Sequence, residues 1–512
     1  MVGAGPGDPG LLTLKGRKCL RQAQVVIYDH LVNERLLEYA PPGAELIYAG
    51  KRRGQHALEQ EEISALLLDR AKKGKRVIRL KGGDPFIFGR GGEEAEELAA
   101  SGIPFEVVPG VSSAIAAPAY AGIPLTHRKY TSTLGFVTGH EEASRSACVN
   151  ADRQDSRIAW GKIATGLETL VFLMGYGQLK SITERLIQEG RDPNTPVALI
   201  RWGTLPAQET IVGSLKDIVQ RAEEAHFSPP VVAVVGEVVR LRSALNWFEK
   251  RSLFGRRILV TRAREQASVL MELLEAAGAE AISLPVIQIE PAPDYQKLDR
   301  AIAQIENFDW VVFTSVHGVE FFWQRLRRMG KDARELKGIR LGAIGPATAS
   351  QLREHGLEPD LVPSEFRAEA ILKSMREEDL GGKRILLPRA AQARDLLPKA
   401  LRQRRAKVVV AQAYRTIRPE ADFKGIRERI GQGEIDVLTF TSSSTVSHFM
   451  EGMSKREIDS LKRKAVIACI GPITAEAARE YGLEVAIQPK DYTISSLVKA
   501  ICSYFERDGG KR

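Results

Sequence analysis

Three glycine-rich segments combine residue types that suit the binding of a small ligand by strand-end loops. The first is MVGAGPGDPG at the N-terminus, the second is KGGDPFIFGRGG at 81–92, and the third is VPGVSSA at 108–114. The second and third each follow an apolar run typical of a strand and precede a segment typical of a helix. Because such loops share the carboxyl edge of a parallel sheet, the sequence predicts one ligand site built from all three.

The spacing of the first glycines argues against a pyrophosphate site. A dinucleotide fingerprint needs G-x-G-x-x-G, whereas the first three glycines alternate and Asp8 replaces the third fingerprint glycine. Pro6 lacks an N–H and stiffens the loop. This favours a rigid surface beneath a ligand over a loop whose backbone N–H groups bind a phosphate. Asp29, at the end of VVIYD, still mimics the acid that binds a ribose. A nicotinamide-dependent oxidoreductase therefore stays open as an alternative.

The composition limits the class of protein. A chain of 512 residues predicts several domains, and 44% hydrophobic with 27% charged residues is typical of a globular protein. No apolar run approaches the roughly 20 residues of a spanning helix, and no signal peptide is evident, so we expect no membrane association and a cytoplasmic location. Four cysteines without a CxxC pair and eight histidines without ligand spacing predict neither disulfides nor a metal site.

The net charge of +10 is compatible with nucleic acid, an anionic membrane surface or an acidic small substrate. An aromatic content of 6% and the absence of a sustained basic stripe weigh against nucleic acid. The polar, aperiodic segment at 141–157 predicts a surface loop.

The second half of the chain contains an internal repeat. GRRILVTRA from Gly255 recurs as GKRILLPRA from Gly382, and FTS at Phe313 recurs at Phe440. Each copy alternates strands with helices, which predicts a parallel sheet flanked by helices in each half. Residues before 250 are also α/β in pattern but hold no copy of the repeat, so they form a separate unit.

Residues 1–248 resemble the uroporphyrinogen-III C-methyltransferases of the tetrapyrrole methylase class. The resemblance is carried by GAGPGDPGLLTLKG, YDHLV, AGKRRGQH, RLKGGDPFIFGRGGEE, VPGVSSA, AGIPLTHR, TLVFLMG and RWGT. It implies two α/β domains, about 1–110 and 111–248, that enclose S-adenosylmethionine and methylate a cyclic tetrapyrrole with eight carboxylates. It also implies a homodimer through this module. Members of the family carry a few more residues before VGAGPG, so either the true start lies upstream or the first strand is shortened here. The implied cofactor contacts are Pro6, Gly82, Gly83, Asp84, Ile87, Ser112, Ser113, Met174 and Gly203.

The same resemblance places Asp29 and Lys51 on the proton acceptor and proton donor, and makes Arg128 a substrate-binding candidate. Methyl transfer from a sulfonium to an electron-rich carbon depends on orientation and needs no metal, and a positioned carboxylate can help to move a proton. A simpler alternative makes Asp29 the N-cap of the helix that follows it. Lys51 could likewise belong to a solvated basic cluster, although positive charge suits an octa-acid substrate.

Residues 254–512 resemble uroporphyrinogen-III synthase, which closes hydroxymethylbilane into uroporphyrinogen III with inversion of ring D and loss of water. The resemblance implies no cofactor and two α/β lobes with parallel sheets, lobe one being about 254–288 plus 419–512 and lobe two about 289–418. Tyr414 falls on the tyrosine proposed to assist loss of the hydroxyl; alternatively it only packs on its lobe. The candidates for substrate binding are Arg262, Thr314, Ser315, Thr348, Arg389, Thr441, Ser443 and Thr474.

Together the two resemblances imply a bifunctional enzyme of tetrapyrrole biosynthesis. It would make uroporphyrinogen III from hydroxymethylbilane and then transfer two methyl groups from S-adenosylmethionine, giving precorrin-2 on the route to sirohaem or cobalamin. Its partners would be small tetrapyrroles. A carrier that binds tetrapyrroles without turning them over is the other alternative, beside the oxidoreductase.

Overall fold

The computed structural model describes residues 1–50, 60–139, 158–262, 264–286, 288–364, 368–390, 395–417 and 424–507. The predicted surface loop at 141–157 lies outside these residues. The described chain divides into two units. The first holds Met1–Arg257, Leu273–Glu280 and the residues from Cys502 onward, and the second holds Ile258–Glu272 and Ala281–Ile501. Every described helix is too short or too polar to cross a lipid bilayer.

The first unit contains nine strands and eight α-helices within its described residues. The strands are β1 Val2–Gly3, β2 Val25–Tyr28, β3 Glu45–Tyr48, β4 Val77–Lys81, β5 Leu134–Thr138, β6 Thr169–Leu173, β7 Pro196–Arg201, β8 Glu209–Ser214 and β9 Val231–Val235. The helices are α1 Leu14–Leu20, α2 Gln60–Lys72, α3 Gly91–Ala100, α4 Ser113–Tyr120, α5 Trp160–Gly166, α6 Leu179–Gln188, α7 Ile218–Glu224 and α8 Arg242–Leu245.

Two sheets organise this unit. The first is parallel with the order β1-β4-β2-β3, and its strand β2 is wholly buried, as its apolar run predicts. The carboxyl ends of β1 and β4 lead directly into the first two glycine-rich loops. The second sheet has the order β5-β6-β9-β7-β8 and is mixed, because β9 runs antiparallel to β6 and β7.

The remaining described elements are ten strands and eleven α-helices, most of whose residues belong to the second unit. The strands are β10 Arg257–Val260, β11 Glu280–Ser283, β12 Gln288–Pro291, β13 Trp310–Phe313, β14 Arg340–Ala343, β15 Arg384–Ala390, β16 Lys407–Ile417, β17 Val437–Phe440, β18 Val466–Cys469 and β19 Val485–Ile487. The helices are α9 Arg264–Ala276, α10 Gln296–Ala303, α11 Val316–Arg328, α12 Pro346–Glu354, α13 Ala368–Ser374, α14 Leu396–Gln403, α15 Lys424–Gln432, α16 Ser443–Gly452, α17 Lys455–Lys464, α18 Pro472–Glu480 and α19 Ile494–Arg507.

These strands form a third sheet, β11-β10-β17-β18-β19, and a fourth, β12-β16-β15-β13-β14. The fourth is parallel except for β12, which pairs antiparallel with β16. The repeat appears as equivalent packing: Phe313 lies edge-to-face on Phe322 with ring centroids 5.4 Å apart, and Phe440 does the same on Phe449 at 5.6 Å.

The expectation of one sheet for each copy of the repeat is wrong. Strand β10 of the first copy pairs with β17 of the second copy, and β15 of the second copy pairs with β13 of the first. The copies exchange these strands because the chain leaves the third sheet after β11, builds the fourth from β12 to β16, and then returns. The fold class is nevertheless α/β in both units, as predicted.

Candidate functional site

A cavity of about 450 Å³ in the first unit is lined by loops from both of its sheets. Residues at the carboxyl ends of β1, β4, β6 and β7 reach its wall. All nine residues predicted to contact a cofactor line this single cavity: Pro6, Gly82, Gly83, Asp84, Ile87, Ser112, Ser113, Met174 and Gly203. The structure thus brings the three glycine-rich segments together.

Close backbone contact holds the three glycine-rich loops side by side. A Cβ atom on Gly110 would lie 2.3 Å from the carbonyl oxygen of Gly83 and 2.7 Å from the Cα of Gly3, so only glycine fits there. The Asp84 carboxylate accepts hydrogen bonds from the amides of Phe86 at 2.8 Å and Gly110 at 2.9 Å. Asp84 therefore fixes the second loop to the third.

Three non-glycine residues of the cavity wall have left-handed backbone. Phe88 has φ 52°, Met174 has φ 54° and Trp202 has φ 48°. Bulky residues rarely adopt this conformation, which costs of order 1–3 kcal/mol per residue and is concentrated at ligand sites. Next to Trp202, a Cβ on Gly203 would lie 2.4 Å from the Cβ of Ala117, so the loop packs directly on α4.

The charge of the cavity wall favours a neutral or cationic ligand. None of the described lining residues is a lysine or an arginine, and Asp84 is the one carboxylate among them. The other polar groups include the hydroxyls of Ser112 and Ser113 and the backbone of the glycine loops. A pyrophosphate is normally bound by exposed amides at a helix N-terminus or by cations, whereas the Ser112 hydroxyl here accepts from the Ala114 amide at 3.3 Å.

Asp29 lies next to this cavity on a buried network of charges. It follows β2, and its neighbours His30 and Leu31 line the cavity. Its Oδ1 lies 2.5 Å from Nη2 of Arg79, a residue only 3% exposed. The Nε of Arg79 in turn lies 3.3 Å from both carboxylate oxygens of Glu94. This network fixes the position of the Asp29 carboxylate.

Glu94 balances two buried cations. It is 1% exposed, and besides Arg79 it accepts a hydrogen bond from Nζ of Lys81 at 2.7 Å. Burial raises the pKa of Glu94, but the charges of Arg79 and Lys81 outweigh burial and hold the pKa below its usual value. Glu94 is therefore ionised at neutral pH and compensates the cations of β4.

The alternative that Asp29 caps the next helix is wrong. The 3₁₀ helix Glu34–Tyr39 has Asn33 as its N-cap, and the Asn33 Oδ1 accepts from the Arg35 amide at 3.1 Å. The Asp29 carboxylate instead forms an ion pair with Arg79. Of the other two candidates of this module, Arg128 is exposed and not part of the cavity wall, and Lys51 lies outside the described residues.

In the second unit the structure brings Tyr414 and Ser315 into contact. The Tyr414 hydroxyl donates to Oγ of Ser315 at 2.9 Å, and the same oxygen accepts from the Gly318 amide at 3.0 Å as the N-cap of α11. Burial raises the pKa of Tyr414, against the Ser315 hydrogen bond and the charge of Arg389. The ring also stacks on Phe321 at 5.9 Å, as the packing alternative predicts, and the role of Tyr414 in loss of the hydroxyl stays a prediction.

The remaining candidates divide between the third and fourth sheets. Arg389 is in β15, 6% exposed, with Nη2 3.2 Å from Asp395, and Ala390 after it pairs with Tyr414. Thr314, Ser315 and Thr348 follow the ends of β13 and β14 in the same sheet as Arg389 and Tyr414. The candidates at the strand ends of the third sheet are Arg262, whose pKa is lowered by burial, Thr441, Ser443 and Thr474. Thr348 and Thr474 are buried at equivalent positions of the repeat.

Comparison with known proteins identifies both units. Residues 1–219 match the family model of tetrapyrrole (corrin/porphyrin) methylases, and residues 268–499 match that of the uroporphyrinogen-III synthase HemD. The porphyrin biosynthesis protein HemD of Ruminiclostridium josui is 39% identical over 498 residues, which is 97% of this chain and 96% of that protein. The chain belongs to the tetrapyrrole methylases in its first half and to the uroporphyrinogen-III synthases in its second.

Two further relatives match the methylase half. The uroporphyrinogen-III C-methyltransferase of Priestia megaterium is 51% identical over 239 residues, 47% of this chain and 97% of that protein. A crystal structure of uroporphyrin-III C-methyl transferase from Thermus thermophilus with S-adenyl homocysteine is 39% identical, covers 47% of this chain and 97% of that one, and has a TM-score of 0.39.

Membership in the two families confirms the expectation of a bifunctional enzyme of tetrapyrrole biosynthesis with a methyltransferase half and a synthase half. The oxidoreductase and carrier alternatives find no support in these matches. Among the described residues no group of three or more His, Cys, Asp or Glu side chains could hold a metal ion.

Sequence reasoning missed the charges behind Asp29. Arg79 and Lys81 alternate in VIRLK, so they share one face of a strand, and two cations on an otherwise apolar parallel strand predict a buried acidic partner. That signal was available. The sequence does not indicate the left-handed backbone of Met174 and Trp202, because neither position holds a glycine or an asparagine.

Proposed function

We propose that the first unit binds S-adenosylmethionine in the 450 Å³ cavity and methylates uroporphyrinogen III twice, giving precorrin-2, and that the second unit makes this uroporphyrinogen III from hydroxymethylbilane. The observation that carries the proposal for the methylase is the gathering of all nine predicted cofactor contacts in one cavity with no cationic lining residue among those described. The support for the synthase is the family match over 268–499.

The cavity suits the cofactor in size and charge. Pockets of roughly 300–1,000 Å³ accommodate ligands of this size, and 450 Å³ falls in that range. A sulfonium cation is compatible with a wall of backbone groups, hydroxyls and the Asp84 carboxylate. When bound, S-adenosylmethionine supplies an electrophilic methyl group. Gly82, Gly83 and Gly203 would let the backbone approach it closely.

The residues around the cavity would act by orientation and proton removal. The stiff loops would hold the acceptor carbon of the tetrapyrrole in line, which is the largest source of rate when two reactants are bound together. Asp29, fixed by Arg79 at 2.5 Å, would accept the proton that the macrocycle loses after methylation. Arg79 would hold this carboxylate in place between turnovers.

Product analysis from hydroxymethylbilane tests both activities in one chain. Without S-adenosylmethionine we expect uroporphyrinogen III, and with it we expect conversion to precorrin-2 carrying two donor-derived methyl groups. A reaction without enzyme gives the background isomer. If the chain yields only that isomer and no methylated product, the carrier alternative replaces this proposal.

We further propose module boundaries of 1–248 and 254–512, with the lobes at the limits given from sequence, and a homodimer formed through the methyltransferase module. The resemblance to the methyltransferases supports the dimer, and sedimentation equilibrium tests it: a particle of one chain mass would contradict it.

The cytoplasm is the compartment we propose, supported by Cys19, Cys469 and Cys502 being free thiols.

A further inference from the structure

The contact between Tyr414 and Ser315 joins two residues whose sequence roles were separate, one catalytic and one substrate-binding. Tyr414 is only 8% exposed, whereas Ser315 is half-buried at the start of α11. The hydroxyl of the buried Tyr414 ring therefore contacts Ser315, and Ser315 is the more accessible of the two residues. A substrate that reaches this strand end meets Ser315 first.

The hydrogen bonds that Oγ of Ser315 accepts determine whether its own hydroxyl hydrogen can be donated to a ligand. A serine hydroxyl has two acceptor positions and one donor hydrogen. Oγ accepts from the Tyr414 hydroxyl at 2.9 Å and from the Gly318 amide at 3.0 Å, which uses both acceptor positions. No described residue accepts the Ser315 hydrogen, so this hydrogen is available to a ligand.

The second copy of the repeat shows that this arrangement exceeds what helix capping requires. Ser442 is the equivalent N-cap of α16, and its Oγ accepts from the Thr445 amide at 3.3 Å. Its side-chain neighbours are the hydroxyls of Ser444 and Thr445 rather than a tyrosine. The cap is common to both copies, while the tyrosine contact is found at Ser315.

We propose that Ser315 is a proton relay through which Tyr414 acts on the hydroxymethyl group of the linear tetrapyrrole. This inference rests on the proposed synthase function. The C–O bond of the hydroxymethyl group breaks with both electrons on oxygen. The departing oxygen takes the Ser315 hydrogen and leaves as water, and Ser315 takes the hydrogen of Tyr414.

Charge and atoms balance over the cycle. The positive charge left on the pyrrole-methylene carbon is matched by the negative charge on the Tyr414 phenolate. When the ring that forms the new C–C bond loses its proton, that proton returns through Ser315 to Tyr414. Arg389, on the neighbouring strand β15, is positioned to stabilise the phenolate, and its charge opposes the effect of burial on the Tyr414 pKa.

A double-mutant cycle in the full chain tests the relay. Tyr414→Phe and Ser315→Gly should each lower kcat for uroporphyrinogen III formation on the order of a hundredfold, with KM nearly unchanged. The double variant should fall within about threefold of the slower single variant, because residues that act as one unit lose their effect together. Multiplied losses in the double variant, or a wild-type kcat for Ser315→Gly, would overturn the relay.

Conservative and structural controls separate the relay from helix capping. Ser315→Thr retains a hydroxyl and a cap and should keep kcat within about tenfold of wild type. Ser454→Ala removes the N-cap of α17, where Oγ accepts from the Glu457 amide at 3.4 Å, and should leave kcat unchanged. Equal loss in Ser315→Thr and Ser315→Gly would contradict the relay. A wild-type chain that forms no uroporphyrinogen III would instead refute the proposed function itself.

Discussion

The carboxylate of Asp29 is the residue on which methyl transfer depends in our proposal. Asp29→Asn removes its charge but not its shape, so we expect kcat for methylation to fall on the order of a hundredfold or more while uroporphyrinogen III formation is unchanged. Glu45→Gln is the matched control. Glu45 lies on the adjacent strand β3, and its carboxylate forms an exposed ion pair with Arg70 at 2.7 Å, which the substitution breaks. Equal loss of both activities in Asp29→Asn would contradict the separate roles of the two modules.

Glu94 carries a prediction about stability. Glu94→Gln leaves Arg79 and Lys81 buried without their counter-charge, which should lower the free energy of unfolding of the first unit by about 3–5 kcal/mol, measured by urea denaturation at pH 7. Lys15→Gln, which removes an exposed ion pair to Glu106, should leave the free energy of unfolding nearly unchanged.

The pH dependence of stability gives a second test of Glu94. The folded pKa of Glu94 lies below its usual value of 4.5, so its stabilising contribution is complete above that value and disappears as the pH falls through the folded pKa. The wild-type chain should therefore lose stability over this acidic range more steeply than Glu94→Gln. Parallel curves for the two proteins would show that Glu94 does not bind its cations in the folded state.

At the scale of elements, the cofactor site depends on three loops meeting at Gly110. In Gly110→Ala the new Cβ would lie 2.3 Å from the Gly83 oxygen, so the third loop must move away from the second. We expect affinity for S-adenosylmethionine to fall at least about tenfold, or ~1.4 kcal/mol, by isothermal titration. Gly166→Ala, at a position with no neighbouring atom within 4 Å, should leave the affinity unchanged. Unaltered binding in Gly110→Ala would show that the loops do not need this contact.

The positions of the glycine-rich loops could be predicted from the sequence, whereas the pairing of the strands in the second unit could not. The loops of Gly82 and Ser112 could be placed at one sheet edge because strand-end loops of parallel sheets meet there. The exchange of β10 and β15 between sheets could not be read from the repeat, because each copy has the pattern of a complete α/β unit and the pairing is decided by contacts distant in sequence. The same limit applies to Ser315 and Tyr414, whose contact spans 99 residues.

For the whole molecule, the structure predicts two unfolding transitions that respond differently to ligand. Each unit has its own sheets and its own buried clusters, around Phe172 in the first and Phe313 in the second. S-adenosylhomocysteine, the product of methyl transfer from the cofactor, should bind the first unit alone. At about 100 times its dissociation constant it should add about 2.7 kcal/mol to the unfolding free energy of that unit.

Differential scanning calorimetry measures this response directly. For a unit of this size 1 kcal/mol moves the midpoint by about 2–4 °C, so one transition should rise by roughly 5–11 °C and the other should stay in place. Asp29→Asn should retain the shift, since Asp29 is outside the cavity wall, whereas Gly110→Ala should reduce it. Transitions that rise together would mean that the units unfold as one, because a ligand of one independent unit cannot stabilise another that it does not contact.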